Sequence, residues 1–118
     1  MIKCIIAGSR TFNDYALLKK ILAGFFSTMD PKDVEIVSGT ARGADQLGER
    51  YAKEHSLTVQ RFHAEWNRYG RSAGYRRNEV MAQYATHLIA FWDGESRGTK
   101  HMIDLAKKAN LSVYVVKT

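Results

Sequence analysis

Residues 66–78 carry the most unusual chemistry of the chain, because aromatic side chains alternate with arginines there. A guanidinium can neutralise and hydrogen-bond a phosphate, and an aromatic ring offers a face on which a nucleobase stacks. A segment with a purely structural role rarely carries so many large aromatic and charged side chains. The pattern predicts contact with a nucleotide, and the candidate residues are Trp66, Tyr69, Arg76, Arg77 and Asn78.

Three further segments combine glycines with hydroxyl-bearing residues and an arginine, at residues 8–12, 38–45 and 92–99. Glycine lets a ligand approach the backbone, and amides at a helix start point towards an anion. None of the segments is a dinucleotide fingerprint or a Walker loop. We expect them to hold phosphate through Gly8, Ser9, Arg10, Ser38, Gly39, Gly43, Gly94, Ser96, Gly98 and Thr99.

Three carboxylates accompany these segments. Asp45 begins a predicted helix, where it serves as a cap or hydrogen-bonds a ribose. Asp93 ends a predicted strand, where it starts a turn or contacts a ribose or a metal-bound water. For acid–base catalysis the candidates are Glu79 and Asp93, although Glu79 also fits an ordinary helix surface. The spacing of the four histidines and the single cysteine predicts no metal site, and no cofactor is required by the sequence.

The elements that must position these residues alternate between strand and helix. Strands are predicted at residues 3–7, 34–38, 57–62, 87–92 and 113–116. Helices are predicted to begin at Asn13 or Asp14 and to cover residues 44–55, 75–85 and 99–110, with a loop over 64–74. In the third helix, Val80, Met81 and Tyr84 are expected to face the core.

This order predicts a Rossmann-like three-layer α/β/α domain with a mainly parallel five-stranded sheet. In such sheets ligands bind outside the carboxyl ends of the strands, where the strand order reverses. The glycine-bearing segments all follow predicted strands. We therefore expect the site at the carboxyl edge of the sheet.

The length of 118 residues predicts one domain over residues 1–118, and the net charge of +6 favours an anionic partner. No apolar run is long enough to cross a bilayer, and no signal-peptide pattern is present. We expect a cytoplasmic protein that contacts no membrane. Phe25 and Phe26 are candidates for an apolar face shared in a homodimer or higher homo-oligomer.

Taken together, the segments resemble the SLOG superfamily of Rossmann-like domains, in its YspA branch, which is related to YpsA. The resemblance rests on residues 8–10, 38–45, 66–70, 73–78 and 90–94 with 98–99. It implies a domain that binds nucleotides or nucleotide-derived signals. A more distant similarity links the chain to the Smf/DprA proteins, which bind single-stranded DNA, and to the LOG enzymes, which cleave a base from a nucleotide. The LOG signature glutamate is absent after Gly98-Thr99, and this difference argues against LOG-type activity.

The leading hypothesis is therefore a binding domain for a nucleotide, a nucleotide-sugar or another nucleotide-derived small ligand, acting as sensor, carrier or sequestering protein. One alternative is a nucleotide-processing hydrolase that cleaves an N-glycosidic or phosphate bond. A second alternative is binding of a single-stranded nucleic acid, which the sequence favours less than binding of a small ligand.

Overall fold

A computed structural model describes all 118 residues of the chain. The strands are β1 (Ile2–Gly8), β2 (Val34–Ser38), β3 (Thr58–Arg61), β4 (His87–Trp92) and β5 (Ser112–Lys117). The helices are α1 (Tyr15–Phe26), α2 (Ala44–Glu54), α3 (Trp66–Tyr69), α4 (Ala73–Tyr84) and α5 (Arg97–Lys108). Short 3₁₀ turns cover Pro31–Asp33 and Gly70–Ser72.

The strands form one sheet in the order β3-β2-β1-β4-β5, and every neighbouring pair is parallel. The chain builds outward from β1 to β2 and β3, then returns to the other side of β1 to add β4 and β5. The strand order therefore reverses between β1 and β4, where Gly8 is in register with Phe91. The predicted Rossmann-like three-layer fold is confirmed.

Alternate residues of the central strands supply two cores. On one face Cys4 and Ile6 pack with the buried residues of α1 and α2, including Leu18 and Leu22. On the other face Ile5 and Ala7 pack with α4 and α5. Both faces of the sheet are covered, which explains why β1 and β4 are nearly continuous apolar runs.

Burial also determines the chemistry of the single cysteine. Cys4 is 1% exposed in the first of these cores. Burial raises the pKa of its thiol to about 12, so the thiolate needed for nucleophilic reactivity is scarce at neutral pH. The side chain acts as a small core residue.

The predicted elements agree with the structure to within a few residues at their ends. Asp14 caps α1, since its Oδ1 accepts a hydrogen bond from the Leu17 amide at 3.0 Å. α5 begins at Arg97, two residues earlier than predicted, because the Ser96 side chain caps the helix and accepts from the Thr99 amide. Such caps determine the first helical residue.

The prediction of a continuous loop over residues 64–74 is wrong. The amides of Arg68 and Tyr69 both donate to the Glu65 carbonyl at 3.0 Å, which forms the single turn of α3. Gly70 ends this turn with a φ of 55°, and a 3₁₀ turn leads directly into α4 at Ala73. A four-residue helix has no repeating apolar face, so the periodicity of the sequence does not reveal it.

The inward orientation predicted for Val80 is also wrong, since this side chain is 50% exposed. The buried face of α4 carries Asn78, Met81 and Ala82. Asn78 is polar, and a hydrophobic pattern therefore assigns its place to Val80. None of the helices has both the length and the apolar character that crossing a membrane requires.

The contact between α2 and β1 leads to a prediction for Gly48. A Cβ atom there would lie 2.8 Å from the Ile6 Cβ, closer than two carbon atoms can pack. We expect Gly48→Ala to lower the free energy of unfolding by about 1–3 kcal/mol, because the helix must move away from the sheet. Urea unfolding of the purified variant measures this change.

Gly24→Ala is the matched control, since a Cβ atom at Gly24 in α1 meets nothing within 4 Å. Alanine is about 1 kcal/mol more favourable than glycine inside a helix, so this variant should be as stable as the wild type or more stable. Equal losses in both variants would contradict the close packing of α2 on β1.

Candidate functional site

A cleft of about 440 Å³ opens at the carboxyl ends of β1 and β4, where the strand order reverses. Residues from the segments after β1, β2 and β4 and from α3 and α4 line it. The structure brings together eleven of the predicted residues there: Gly8, Ser9, Arg10, Asp45, Trp66, Arg77, Asn78, Asp93, Ser96, Gly98 and Thr99.

The segment after β2 reaches the cleft because of Gly43. This residue has a φ of 80°, and a Cβ atom added to it would overlap the backbone carbonyls of Ser9 and Arg10. Only glycine allows both the left-handed backbone and this close approach. Gly43 thus packs directly against the backbone of the segment that follows β1 and lines the cleft.

That first segment is fixed to β4 by its backbone. The Ser9 amide donates to the Phe91 carbonyl at 3.2 Å. The Ser9 Oγ is buried and forms no hydrogen bond of normal geometry. It lies near enough to the Asp93 carboxylate to help lower the pKa of that group, although less than the backbone amides of Ser96 and Glu95 do.

Asp93 shapes the approach to α5. Its Oδ1 accepts hydrogen bonds from the amides of Glu95 and Ser96, both at 2.8 Å, and these bonds lower the pKa of the carboxyl. The turn-forming role considered from the sequence is therefore present. The turn directs the first turn of α5, with Gly98 and Thr99, at the cleft. Amides at the first helical positions have no partner within a helix and favour an anion.

Three arginines line the cleft: Arg10, Arg71 and Arg77. None of them is within 4.0 Å of a carboxylate; the ion pairs of the chain involve Arg50, Arg61, Arg68 and Lys100 instead. Arg77 is half-buried and donates to the Gly39 carbonyl at 2.8 Å, and burial lowers its pKa. The cleft therefore carries positive charge that no carboxylate pairs directly.

Two aromatic rings complete one side of the cleft. Trp66 is 50% exposed and Tyr75 is 43% exposed, which is unusual for side chains of this size. The Arg10 guanidinium lies 6.0 Å from the centre of the Trp66 ring. Exposed rings beside cations offer an apolar surface to a planar ligand.

Asn78 holds α4 against α5 at the base of the cleft. It is buried, and its Nδ2 is 3.4 Å from the Gly98 carbonyl and 3.2 Å from the His101 Nδ1. Since the amide nitrogen is a donor, the His101 Nδ1 acts as acceptor in this arrangement. The role we observe for Asn78 is to position the start of α5.

Asp45 has an environment that the sequence did not indicate. It is 6% exposed, and burial raises the pKa of its carboxyl to about 6. The Ala41 amide, which donates to its Oδ2 at 3.1 Å, and the charges of Arg77 and Arg10 oppose this rise. Gly43 precedes α2 without a side-chain cap, and Asp45 lies within the first turn of the helix, where the helix dipole favours a carboxylate. Of the carboxylates in the cleft, Asp45 titrates nearest to neutral pH.

The other predicted residues lie outside the cleft lining. Ser38 is buried beneath it, donating to Glu49 at 2.6 Å and accepting from the Thr40 amide at 3.0 Å. Gly39 lies against the Asp45 and Arg77 side chains, and Gly94 lies against Lys117. The remaining three line a separate cavity of about 540 Å³: Tyr69, Arg76 and Glu79. The catalytic candidate Glu79 therefore lies apart from the cleft.

Several lining residues were absent from the sequence-based candidates. Thr11, Arg71, Gly74 and Tyr75 fall inside the segments already identified, and only their orientation was unknown. The apolar residues were not detectable, since they resemble ordinary core: Ala7, Met81 and Met102. Ala41 lines the cleft because the backbone after β2 passes along it.

Comparison with known proteins agrees with this architecture. Residues 2–69 match the YspA, cpYpsA-related SLOG family. The chain is also 33% identical to the Gene 61 protein of Mycobacterium phage D29 over 119 residues, covering 96% of this chain and 94% of that protein.

Among solved structures, the fold is similar to the X-ray structure of DNA processing protein A (DprA) from Streptococcus pneumoniae. The TM-score is 0.77 at 15% sequence identity, and the match covers 99% of this chain. The chain spans 50% of the length of DprA. At this identity the likeness concerns the fold.

The burial of Asp45 predicts an unusual pH dependence of stability. A carboxyl with a folded pKa of about 6 binds a proton in the folded state at a pH where the unfolded chain, near 3.8, does not. Its contribution therefore favours folding increasingly as the pH falls from about 6 towards 4. Relative to Asp45→Asn, the wild type should gain up to about 3 kcal/mol over this range.

Urea unfolding of both proteins between pH 4 and pH 7 measures the difference. Asp93→Asn is the control, because the lowered pKa of Asp93 predicts no gain for the wild type between pH 7 and pH 4 and a loss of its advantage only below about pH 4. Parallel stability curves for the wild type and Asp45→Asn would contradict the raised pKa.

Proposed function

Because the chain belongs to the YspA, cpYpsA-related SLOG family, we propose that its cleft binds a nucleotide or nucleotide-derived small ligand, as a sensor, carrier or sequestering protein. One observation carries the proposal. At the reversal of strand order, a helix start, arginines without ion pairs and two exposed aromatic rings line one cleft. Parallel α/β sheets bind ligands at this position.

The phosphate of the ligand lies, in this proposal, between the Arg10 side chain and the first turn of α5. The Gly98 amide has no hydrogen-bond partner and supplies a backbone donor, whereas the Thr99 amide already donates to the Ser96 Oγ. The helix dipole favours negative charge there. Arg10 is exposed and forms no ion pair, so its guanidinium is free for a charged hydrogen bond.

The base lies against Trp66 and Tyr75. Stacking of a base on an aromatic ring contributes about 1–3 kcal/mol and tolerates any base, because every base has a π-face. The cleft volume of about 440 Å³ is within the range of small-ligand sites. Asp45 and Asp93 are the remaining acceptors for ribose hydroxyls.

An enzymatic alternative has support from Asp45. A carboxyl whose pKa is about 6 can exchange a proton near neutral pH, which suits hydrolysis of an N-glycosidic bond. Mass spectrometry of the nucleotide after incubation with the protein tests this reading. Released base or phosphate would establish a hydrolase. Unchanged nucleotide would exclude hydrolysis and leave binding as the only proposed function.

The binding proposal predicts that Arg10→Ala weakens the protein's affinity for 5′-AMP about tenfold or more, because a charged hydrogen bond to phosphate is lost. Isothermal titration calorimetry with 5′-AMP measures the affinity. The free energy of unfolding should not fall, since Arg10 forms no ion pair in the protein and its charge repels that of Arg77.

Arg68→Ala is the matched control, because it removes an equal charge from α3 at a side chain that lines none of the cavities described here. It should bind 5′-AMP as the wild type does. If Arg10→Ala and Arg68→Ala bind 5′-AMP equally well, or if no purine or pyrimidine nucleotide binds the wild type, the proposal is wrong.

A further inference from the structure

A second cavity of about 330 Å³ adjoins the cleft at the carboxyl ends of β2 and β3. We call it the basic cavity and define it by Arg10, Thr40, Arg42, His63, Trp66 and Arg77. Arg10, Trp66 and Arg77 also line the cleft. The two cavities therefore share a wall, and one ligand can contact both.

The basic cavity differs from the cleft in its charge. Three arginines and His63 line it, and no carboxylate does. The cleft, in contrast, includes Asp45 and Asp93. None of the arginines of the basic cavity is within 4.0 Å of a carboxylate. The positive charge of such a cavity is best neutralised by an anion with several oxygen acceptors.

Repulsion between the cations supports this reading. The pKa of Arg77 is lowered by burial and also by the neighbouring charge of Arg10, while Asp45 opposes both. At Arg77 the attraction of Asp45 is larger than the repulsion of Arg10. A bound anion would relieve the repulsion that remains among the arginines of the cavity.

Two backbone amides of this cavity, those of Thr40 and Ala41, are already engaged within the protein. The Thr40 amide donates to the Ser38 Oγ, and the Ala41 amide donates to the Asp45 Oδ2. Thr40 has a φ of 64°, a left-handed conformation that costs free energy for a residue other than glycine. This conformation belongs to the turn that leads the chain from β2 to Arg42.

We propose that the basic cavity binds a second phosphate of the same ligand, which is a 5′-phosphorylated nucleotide extended by a phosphodiester, such as a dinucleotide. The inference rests on the proposed function of the cleft. Because Trp66 lines both cavities, a base stacked on its ring leaves room for one phosphate on either side. Adjacent phosphates, as in ADP, would both remain in the cleft.

Titration calorimetry with 5′-AMP, ADP and the 5′-phosphorylated dinucleotide pApA tests the proposal. We expect pApA to bind about tenfold more tightly than 5′-AMP, and ADP to gain less, because only pApA reaches the basic cavity. Arg42→Ala should remove most of the gain of pApA, since Arg42 lines the basic cavity and not the cleft. His63→Gln gives a second, smaller loss, and Arg68→Ala serves as the control.

The outcomes separate the two proposals. If 5′-AMP binds but pApA binds no more tightly, or keeps its gain in Arg42→Ala, the second phosphate site is wrong and the cleft proposal stands. If neither compound binds, both are wrong. A ten-residue 5′-phosphorylated oligoadenylate identifies the source of the second phosphate. Affinity equal to that of pApA assigns a free dinucleotide, and much higher affinity that falls steeply with salt assigns the end of a single strand.

Discussion

The parallel pairing of β1 with β4 is the constraint on which the rest of the molecule depends. It places Gly8 beside Phe91, and the Ser9 amide donates to the Phe91 carbonyl where the two strands end. Since β2 and β3 lie on one side of β1 and β4 and β5 on the other, the segments that follow β1 and β4 diverge there. The cleft is the space that this divergence leaves open.

Polar groups beneath the cleft hold the diverging segments together. Arg77 of α4 donates to the Gly39 carbonyl, and the Asp45 carboxylate of α2 accepts from the Ala41 amide. Asn78 bridges α4 to the first turn of α5. These contacts join helices from both layers across the carboxyl edge of the sheet. Burying Asp45 costs stability, as its raised pKa indicates, and such costs are typical of binding sites.

The fold and the edge at which the glycine-bearing segments converge could be predicted from the sequence, because both depend on local signals. Apolar runs that stop at glycine marked β1 and β2, an apolar run followed by an Asp-Gly turn marked β4, and the capping residue Asp14 marked the start of α1. Parallel strands then bring the segments after them to one edge. The arginine-rich segment 66–78 was also identified correctly as a neighbour of the glycine-bearing segments, since Trp66, Arg77 and Asn78 line the cleft.

What the sequence could not indicate depends on orientation. Arg76 and Arg77 are adjacent in α4, yet Arg77 faces the cleft while Arg76 lies over the Tyr69 ring in another cavity. The rotation of α4 buries Asn78 beside Met81, and a polar residue on the buried face is what the hydrophobic pattern does not encode. The raised pKa of Asp45 likewise follows from its burial in the folded protein, which the sequence does not show. Arg42 and His63 are separated along the chain by α2 and β3 and come together only at the edge of the sheet.

Titration of the ¹⁵N-labelled protein with 5′-AMP, followed by amide chemical shifts in NMR spectra, shows directly whether a nucleotide binds between β1 and β4. We expect shifts concentrated at Ser9, Arg10, Gly98 and Thr99, with few changes at the amino ends of the strands. Shifts confined to the exposed edge strand β5, or no shifts at millimolar nucleotide, would contradict a nucleotide site between β1 and β4.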